Sequence, residues 1–175
     1  AESAFAYTGT AGHHASRGSC WGFCYFNDVA ITILKLRKMG LRRFLIIDVD
    51  PHFGDGTRDF FGNDPDVFHI NFHSGSQKEF DRERNNYDFG IGWNANDETF
   101  LREMENALKL TEGFDYEVCF VIFGHDSHTD DYGGFDLTLP TRYDYKTETA
   151  GFSPMRLNLA PTGRERDFEF AYARP

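Results

Sequence analysis

The stretch IIDVDPHFGDGT, residues 46–57, joins an apolar strand to a dense group of acidic and imidazole side chains. The residues just before it are also apolar, and a continuous apolar run is typical of a strand buried on both faces of a parallel sheet. Removing an ionised carboxylate from water is costly unless a positive charge accompanies it. Asp48, Asp50 and His52 at the end of such a strand therefore indicate a metal ion. Alternate residues of an extended chain point the same way, so Asp50 and His52 can converge on one ion.

The same stretch has a plainer interpretation. Gly-Asp-Gly-Thr at residues 54–57 is ordinary turn chemistry, and an acidic turn after a buried strand can be a solvated loop that caps a helix. Taken alone, the stretch leaves both alternatives open. The rest of the chain has to decide between them.

Composition excludes several classes of function. The 175 residues are 40% hydrophobic and 26% charged, which is ordinary for one globular domain. The net charge of −10 argues against a direct nucleic-acid partner, because phosphate contacts need clustered Lys and Arg. No apolar run approaches the ~18 residues of a membrane span, so no membrane partner is expected. Three cysteines, Cys20, Cys24 and Cys119, indicate no disulfide framework, and we predict a cytoplasmic location.

Hydrophobic periodicity predicts alternating helices and strands, and therefore a layered α/β fold with a mainly parallel sheet. Residues 74–96 are polar and rich in Gly and Asn, and we expect a long loop there. The start of the chain, residues 4–7, is expected to be a strand. The other predicted elements are helices at 28–39, 57–61 and from 97 onward, and strands at 44–48, 67–73 and 118–123.

The predicted strand at 118–123 also ends in ionisable side chains, in the run Gly124-His125-Asp126-Ser127-His128. Ligands of open α/β sheets bind outside the carboxyl ends of the strands. Two apolar strands that both end in Asp and His residues therefore favour a metal site over a solvated turn.

Together these segments resemble the histone deacetylase superfamily, which includes acetylpolyamine amidohydrolases and acetoin-utilisation proteins. The resemblance covers roughly residues 3–138. It implies a three-layer α/β/α fold of the arginase/deacetylase kind, with 1–138 as a partial catalytic domain that is incomplete at both ends and 139–175 as a divergent C-terminal tail. The matching segments are Gly12-His13-His14-Ala15, residues 22–28, residues 48–57, Asn71-Phe72-His73, Gly124-His125-Asp126 and residues 133–138.

The resemblance implies that Asp50, His52 and Asp126 bind one divalent metal, usually zinc (Zn2+). Iron (Fe2+) or another divalent ion is the alternative, because oxygen and imidazole ligands suit several metals. Three protein ligands leave an open position, as catalytic zinc sites do. A monovalent cation site, for potassium (K+), would be built around Asp48, Asp50, His52, Asn71 and Phe72.

The resemblance also assigns the histidine pair. His13 and His14 would lie beside the metal, with Asp48 behind His13 and Asp55 behind His14. A carboxylate behind an imidazole fixes its tautomer and stabilises its protonated form. His14 is then the main acid/base group and His13 its electrostatic partner.

The implied reaction is hydrolysis of an N-acetyl amide. Gly22 and Phe23 match the segment that lines the family's substrate tunnel, so Phe23 would flank the aliphatic stem of an acetylated lysine or an acetylated amine. Two alternative functions remain open: a truncated, weakly active or inactive metal-binding module of the same family, and a metallohydrolase of the ureohydrolase kind. The truncated sheet would lack strands, so we expect the tail or a homo-oligomer to compensate for them.

Two departures from the family pattern concern activity. The family supplies an oxyanion-stabilising tyrosine from a Gly-Gly-Tyr turn, and no such run follows Asp126. Phe53 stands where many relatives carry a second histidine.

Overall fold

The computed structural model describes residues 4–138 and, as backbone only, residues 157–158 and 167–168. One five-stranded sheet forms the centre, in the order β3-β4-β2-β1-β6. All neighbouring strands in it are parallel except β3 and β4. The strands are β1 (Phe44–Asp48), β2 (Val67–His73), β3 (Lys78–Asp81), β4 (Asn86–Gly90), β5 (Ala95–Asn96), β6 (Val118–Ile122), β7 (Phe135–Asp136), β8 (Leu157–Asn158) and β9 (Asp167–Phe168).

Helices cover both faces of the sheet. The helices are α1 (Asp28–Lys38), α2 (Asp55–Phe61), α3 (Asp97–Leu110) and a 3-10 turn at His125–Ser127. Along β1, Phe44 and Ile46 pack in one apolar cluster with residues of α1 and α2. Leu45 and Ile47 pack in a second cluster with residues of α3. The predicted three-layer α/β/α fold with a mainly parallel sheet is therefore confirmed.

Side-chain caps set the start of two helices. The Asn27 side chain accepts the N–H of Ala30 at 2.9 Å and caps the start of α1. The Asn96 side chain accepts the N–H of Thr99 at 3.0 Å and caps the start of α3. The Asp97 carboxylate accepts the backbone N–H of Thr138 at 2.9 Å.

The prediction of a long loop at 74–96 is wrong, because this region contains β3, β4 and β5. Strand β4 is buried along its whole length, although half of its side chains are polar. Its Asp88 carboxylate binds both terminal nitrogens of Arg58, at 2.6 and 2.9 Å. A polar residue can be buried when it is paired with an opposite charge. The strand then lacks the regular pattern of apolar residues by which strands are recognised in a sequence.

Two further expectations differ from the structure. Residues 4–7 form no strand, and Phe5 and Tyr7 are exposed. Strand β6 exists, but only Ile122 in it is fully buried. Within the part of the chain that the structure describes, β6 has a neighbour on one side only, which leaves it partly open.

The predicted tail at 139–175 lies outside the described residues, apart from the antiparallel pair β8 and β9. The domain boundary at residue 138 therefore stays a prediction. Among the described residues, no helix combines the length and the apolar character that crossing a membrane requires.

We expect Phe72→Ala to lower the free energy of unfolding by about 3–5 kcal/mol, because it would leave a cavity in the core. Phe72 is fully buried, and its ring lies 5.2 Å from that of Phe89 and 5.3 Å from that of Phe100. Urea unfolding measures the change. Phe26→Ala is the matched control: Phe26 is 71% exposed, so the change should be within about 0.5 kcal/mol. Equal losses in both variants would contradict this packing.

Candidate metal centre and histidine pair

The candidate site lies where β1 and β6 end. These strands are parallel neighbours, with Asp48 opposite Ile122, so the segments that follow them emerge side by side. Two hydrogen bonds join these segments: Val49 donates its N–H to the carbonyl of Ile122 at 3.0 Å, and the Ser127 hydroxyl donates to the carbonyl of Val49 at 2.9 Å. The loop after β1 and the 3-10 turn after β6 are thereby held together.

Asp50, His52 and Asp126 converge in this place. One potential ligand atom from each lies within 4.8 Å of the others. His52 Nδ1 is 3.0 Å from Asp50 Oδ1 and 3.1 Å from Asp126 Oδ2. A side chain at Gly124 would collide with both carboxylates, so the close approach of Asp50 and Asp126 requires glycine there. The three residues that the sequence singled out therefore form one candidate metal-binding group.

The charges of this group call for a cation. Asp126 Oδ1 is buried and has no hydrogen-bond partner among the described residues. Burial raises the pKa of Asp126 to about 6, and the neighbouring Asp50 carboxylate adds to the effect. Burial also opposes ionisation of Asp50, but hydrogen bonds from His52 hold the pKa of Asp50 below its ordinary value. An unpaired carboxylate oxygen beside a second carboxylate and an imidazole suits a divalent ion, so the residues fit zinc or iron.

His13 is buried next to this group and is held by Asp48. His13 Nδ1 is 2.7 Å from Asp48 Oδ2, and His13 Nε2 is 3.6 Å from Asp50 Oδ2. Burial alone would lower the pKa of His13, but the carboxylates of Asp48 and Asp50 outweigh it and raise that pKa to about 9. Gly54 makes room for this pair, because a side chain there would lie 2.6 Å from Asp48 Oδ2.

His14 lies beside His13, with 4.1 Å between the ring centroids. Its Nδ1 is 2.6 Å from Oδ1 of Asp55, the first residue of α2. Burial and the nearby charge of His13 lower the pKa of His14. Neighbouring groups whose pKa values move apart are suited to separate roles, one neutral and one charged.

Sequence reasoning missed Trp21. Its indole N–H donates to Asp55 Oδ2 at 2.8 Å, and its ring centroid lies 3.9 Å from that of His14. Trp21 lies outside the segments that carry the resemblance, so only its position next to Gly22 could have drawn attention to it. Gly22 has φ +54°, and a side chain there would collide with the ring of His14. Phe23, with φ +61°, points its ring into solvent beside the site.

The residues predicted for a monovalent cation have other partners. Asn71 Oδ1 accepts the N–H of Gly54 at 2.9 Å, and Asn71 Nδ2 donates to the carbonyl of Phe72 at 3.1 Å. The bond from Gly54 ties β2 to the loop that carries His52. The potassium site stays a prediction.

The sequence was compared with known protein families and with curated proteins. The model of the histone deacetylase domain matches residues 1–157. The chain belongs to the histone deacetylase family. Human histone deacetylase 9 is 31% identical over 156 residues, which are 77% of this chain and 15% of that protein.

Solved structures of the histone deacetylase family have the same fold. An HDAC homolog complexed with SAHA is 32% identical, with a TM-score of 0.65, and the match covers 74% of this chain and 39% of that one. An acetylpolyamine aminohydrolase from Burkholderia pseudomallei is 25% identical, with a TM-score of 0.62, and the match covers 73% of this chain and 40% of that one. The chain thus spans about two fifths of the solved relatives it matches.

We expect Asp126→Asn to stabilise the metal-free chain and to weaken zinc binding. The folded-state pKa of Asp126, about 6, lies above the ordinary 3.8, so the folded chain loses stability as the pH rises from 4 through 6. A neutral Asn avoids this loss, which is worth about 3 kcal/mol at pH 7.5, because one pKa unit corresponds to about 1.4 kcal/mol. Urea unfolding with a chelator measures the gain, and zinc calorimetry measures the loss of affinity.

Repeating the comparison of Asp126→Asn with the wild type at pH 4 provides the control. At pH 4 the carboxyl is mostly protonated, so the stability difference should vanish there. A less stable Asp126→Asn chain at pH 7.5, or one that binds zinc as well as the wild type, would contradict the assignment.

Proposed function

We propose that the chain is a metal-dependent amidohydrolase that removes acetyl groups from acetylated lysine or acetylated amines. The observation that carries the proposal is the convergence of Asp50, His52 and Asp126 next to the His13–His14 pair. Membership of the histone deacetylase family supports the same reaction.

Asp50, His52 and Asp126 would hold the metal, with zinc as first choice and Fe2+ or another divalent ion as the alternative. When bound, such an ion polarises the acetyl carbonyl and makes a water molecule more acidic. The donor set of two carboxylates and one imidazole supports this assignment, because catalytic zinc sites use three protein ligands.

His14 is the general base and then the general acid. With its pKa lowered, the imidazole is neutral near pH 7 and can take a proton from the attacking water at Nε2. Asp55, bonded to Nδ1, stabilises the imidazolium that forms. The same proton then passes from Nε2 to the nitrogen of the leaving amine, so the amide and one water become acetate and a free amine.

His13 supplies fixed positive charge. Its raised pKa, about 9, keeps it protonated at neutral pH. A buried cation close to the reacting carbonyl stabilises negative charge that develops on the oxygen.

The substrate assignment rests on residues 22 and 23 and on the relatives. Phe23 directly follows Gly22, which lies against the His14 ring, and the exposed ring of Phe23 can pack along an aliphatic stem, which lysine and polyamines both have. The solved acetylpolyamine aminohydrolase supports the polyamine class. A cytoplasmic location, a homo-oligomer and the lack of a direct nucleic-acid partner stay predictions.

A metal-binding module with weak or no turnover is the second candidate. Such a module would bind the ion but would lack fast hydrolysis, since loss of an oxyanion donor lowers turnover by about 10²–10³-fold. Both candidates share the metal site and differ in the chemistry that follows.

Acetate release from an acetyl-lysine peptide and from N-acetylputrescine, with added zinc, tests the proposal. We expect turnover that falls by about 10²–10⁴-fold in His14→Ala, because general acid–base catalysis is lost. His73→Ala is the matched control, because the His73 imidazole accepts the N–H of Gly75 and lies against the ring of Phe53, outside the candidate metal group. It should retain wild-type turnover.

The outcomes separate the candidates. Zinc binding without acetate release from either substrate would favour the inactive module. Acetate release that His14→Ala leaves unchanged would contradict the assigned acid/base role.

A further inference from the structure

Trp21 closes a ring of contacts with His14 and Asp55. The two carboxylate oxygens of Asp55 bind different partners: Oδ1 faces His14 Nδ1 at 2.6 Å, and Oδ2 accepts the Trp21 indole N–H at 2.8 Å. The indole also stacks on the imidazole, with 3.9 Å between centroids and 33° between planes. One carboxylate thus joins two rings that already touch.

The His13 side of the site has a matching arrangement. Asp48 binds His13 through Oδ2, while its Oδ1 accepts the backbone N–H of Asp50 at 3.1 Å. Asp48 is completely buried, so this carboxylate is held on all sides. In each pair, therefore, one oxygen binds the histidine and the other binds an N–H donor that fixes the carboxylate plane.

Asp55 needs such a donor more than Asp48 does. The Asp55 side chain is 43% exposed, and an exposed carboxylate can rotate and exchange its partners for water. Trp21 holds the oxygen that His14 does not use, and its ring covers one face of the imidazole. Gly22 permits this approach, because any side chain at that position would strike the His14 ring.

We propose that Trp21 is a positioning residue for His14, acting through Asp55; the inference rests on the acid/base role proposed above for His14. The indole N–H fixes the Asp55 carboxylate, and the carboxylate in turn fixes the Nδ1–H tautomer and the orientation of the imidazole. Nε2 is thereby presented to the water and to the leaving amine.

Proton NMR of the full chain at low temperature, with and without zinc, tests this positioning without relying on turnover. An imidazole N–H bonded to a carboxylate gives a far-downfield resonance, so we expect one from His14 and one from His13. Trp21→Phe keeps an aromatic ring but removes the N–H donor, and we expect it to abolish the His14 resonance and to leave the His13 resonance in place. Asp55→Asn assigns the His14 signal.

Trp93→Phe is the matched control, because Trp93 is the only other tryptophan in the chain and lies against Gly134. It should leave both resonances unchanged. The His13 resonance shows in the same spectrum that each variant is folded. If Trp21→Phe does not fold, indole exchange in the wild type decides: Trp21 N–H should exchange with solvent more slowly than Trp93 N–H, and equal rates would overturn the proposal.

Turnover separates this inference from the proposed function. In an active chain, Trp21→Phe should lower kcat by about tenfold with KM within twofold, a size typical of partners behind a ligand or base. Loss of the His14 resonance in a chain without turnover would support positioning while contradicting the deacetylase function. A His14 resonance that persists in folded Trp21→Phe would overturn the positioning role.

Discussion

The structure depends on the burial of carboxylates at the carboxyl edge of a parallel sheet. Asp48, Asp50 and Asp126 lie together where β1 and β6 end, and burial there disfavours their ionised forms. The cost of burying each carboxylate is offset in a different way. Asp48 is paired with His13, Asp50 is bonded by His52, and one oxygen of Asp126 has no partner among the described residues. A divalent cation would satisfy that remaining oxygen and would lower the repulsion between the carboxylates.

Close approach of the chain makes this concentration of charge attainable. Gly54 and Gly124 leave the space into which carboxylates of the site project, and Gly22 leaves the space for the His14 ring. The hydrogen bonds of Val49 with Ile122 and Ser127 join the two strand ends. They thereby keep the members of the candidate metal group close together. The parallel pair β1 and β6 thus brings the acidic residues together, and the neighbouring histidines offset part of the repulsion between their charges. A bound cation would offset the rest.

Much of this could be predicted from the sequence, because the deciding residues follow apolar strands directly. The alternation of elements and the Asp and His residues at two strand ends were enough to predict the α/β fold and a metal site at that edge of the sheet. The resemblance to the deacetylase family supplied the three members of the candidate metal group. Strand β4 was missed because Asp88 and Asn86 are polar yet buried, through bonds to Arg58 and Gly62 that no local pattern reveals. Strand β3 was missed because it is mostly exposed and polar. Trp21 was missed because its partner Asp55 lies 34 positions away.

Anomalous diffraction at the zinc edge, from crystals of the zinc-loaded chain, tests the central claim most directly. The account predicts one ordered zinc ion with about 2.0–2.2 Å to carboxylate oxygens of Asp50 and Asp126 and to a ring nitrogen of His52. A zinc peak elsewhere, such as at Cys20 and Cys24, with none between these three residues, would contradict it.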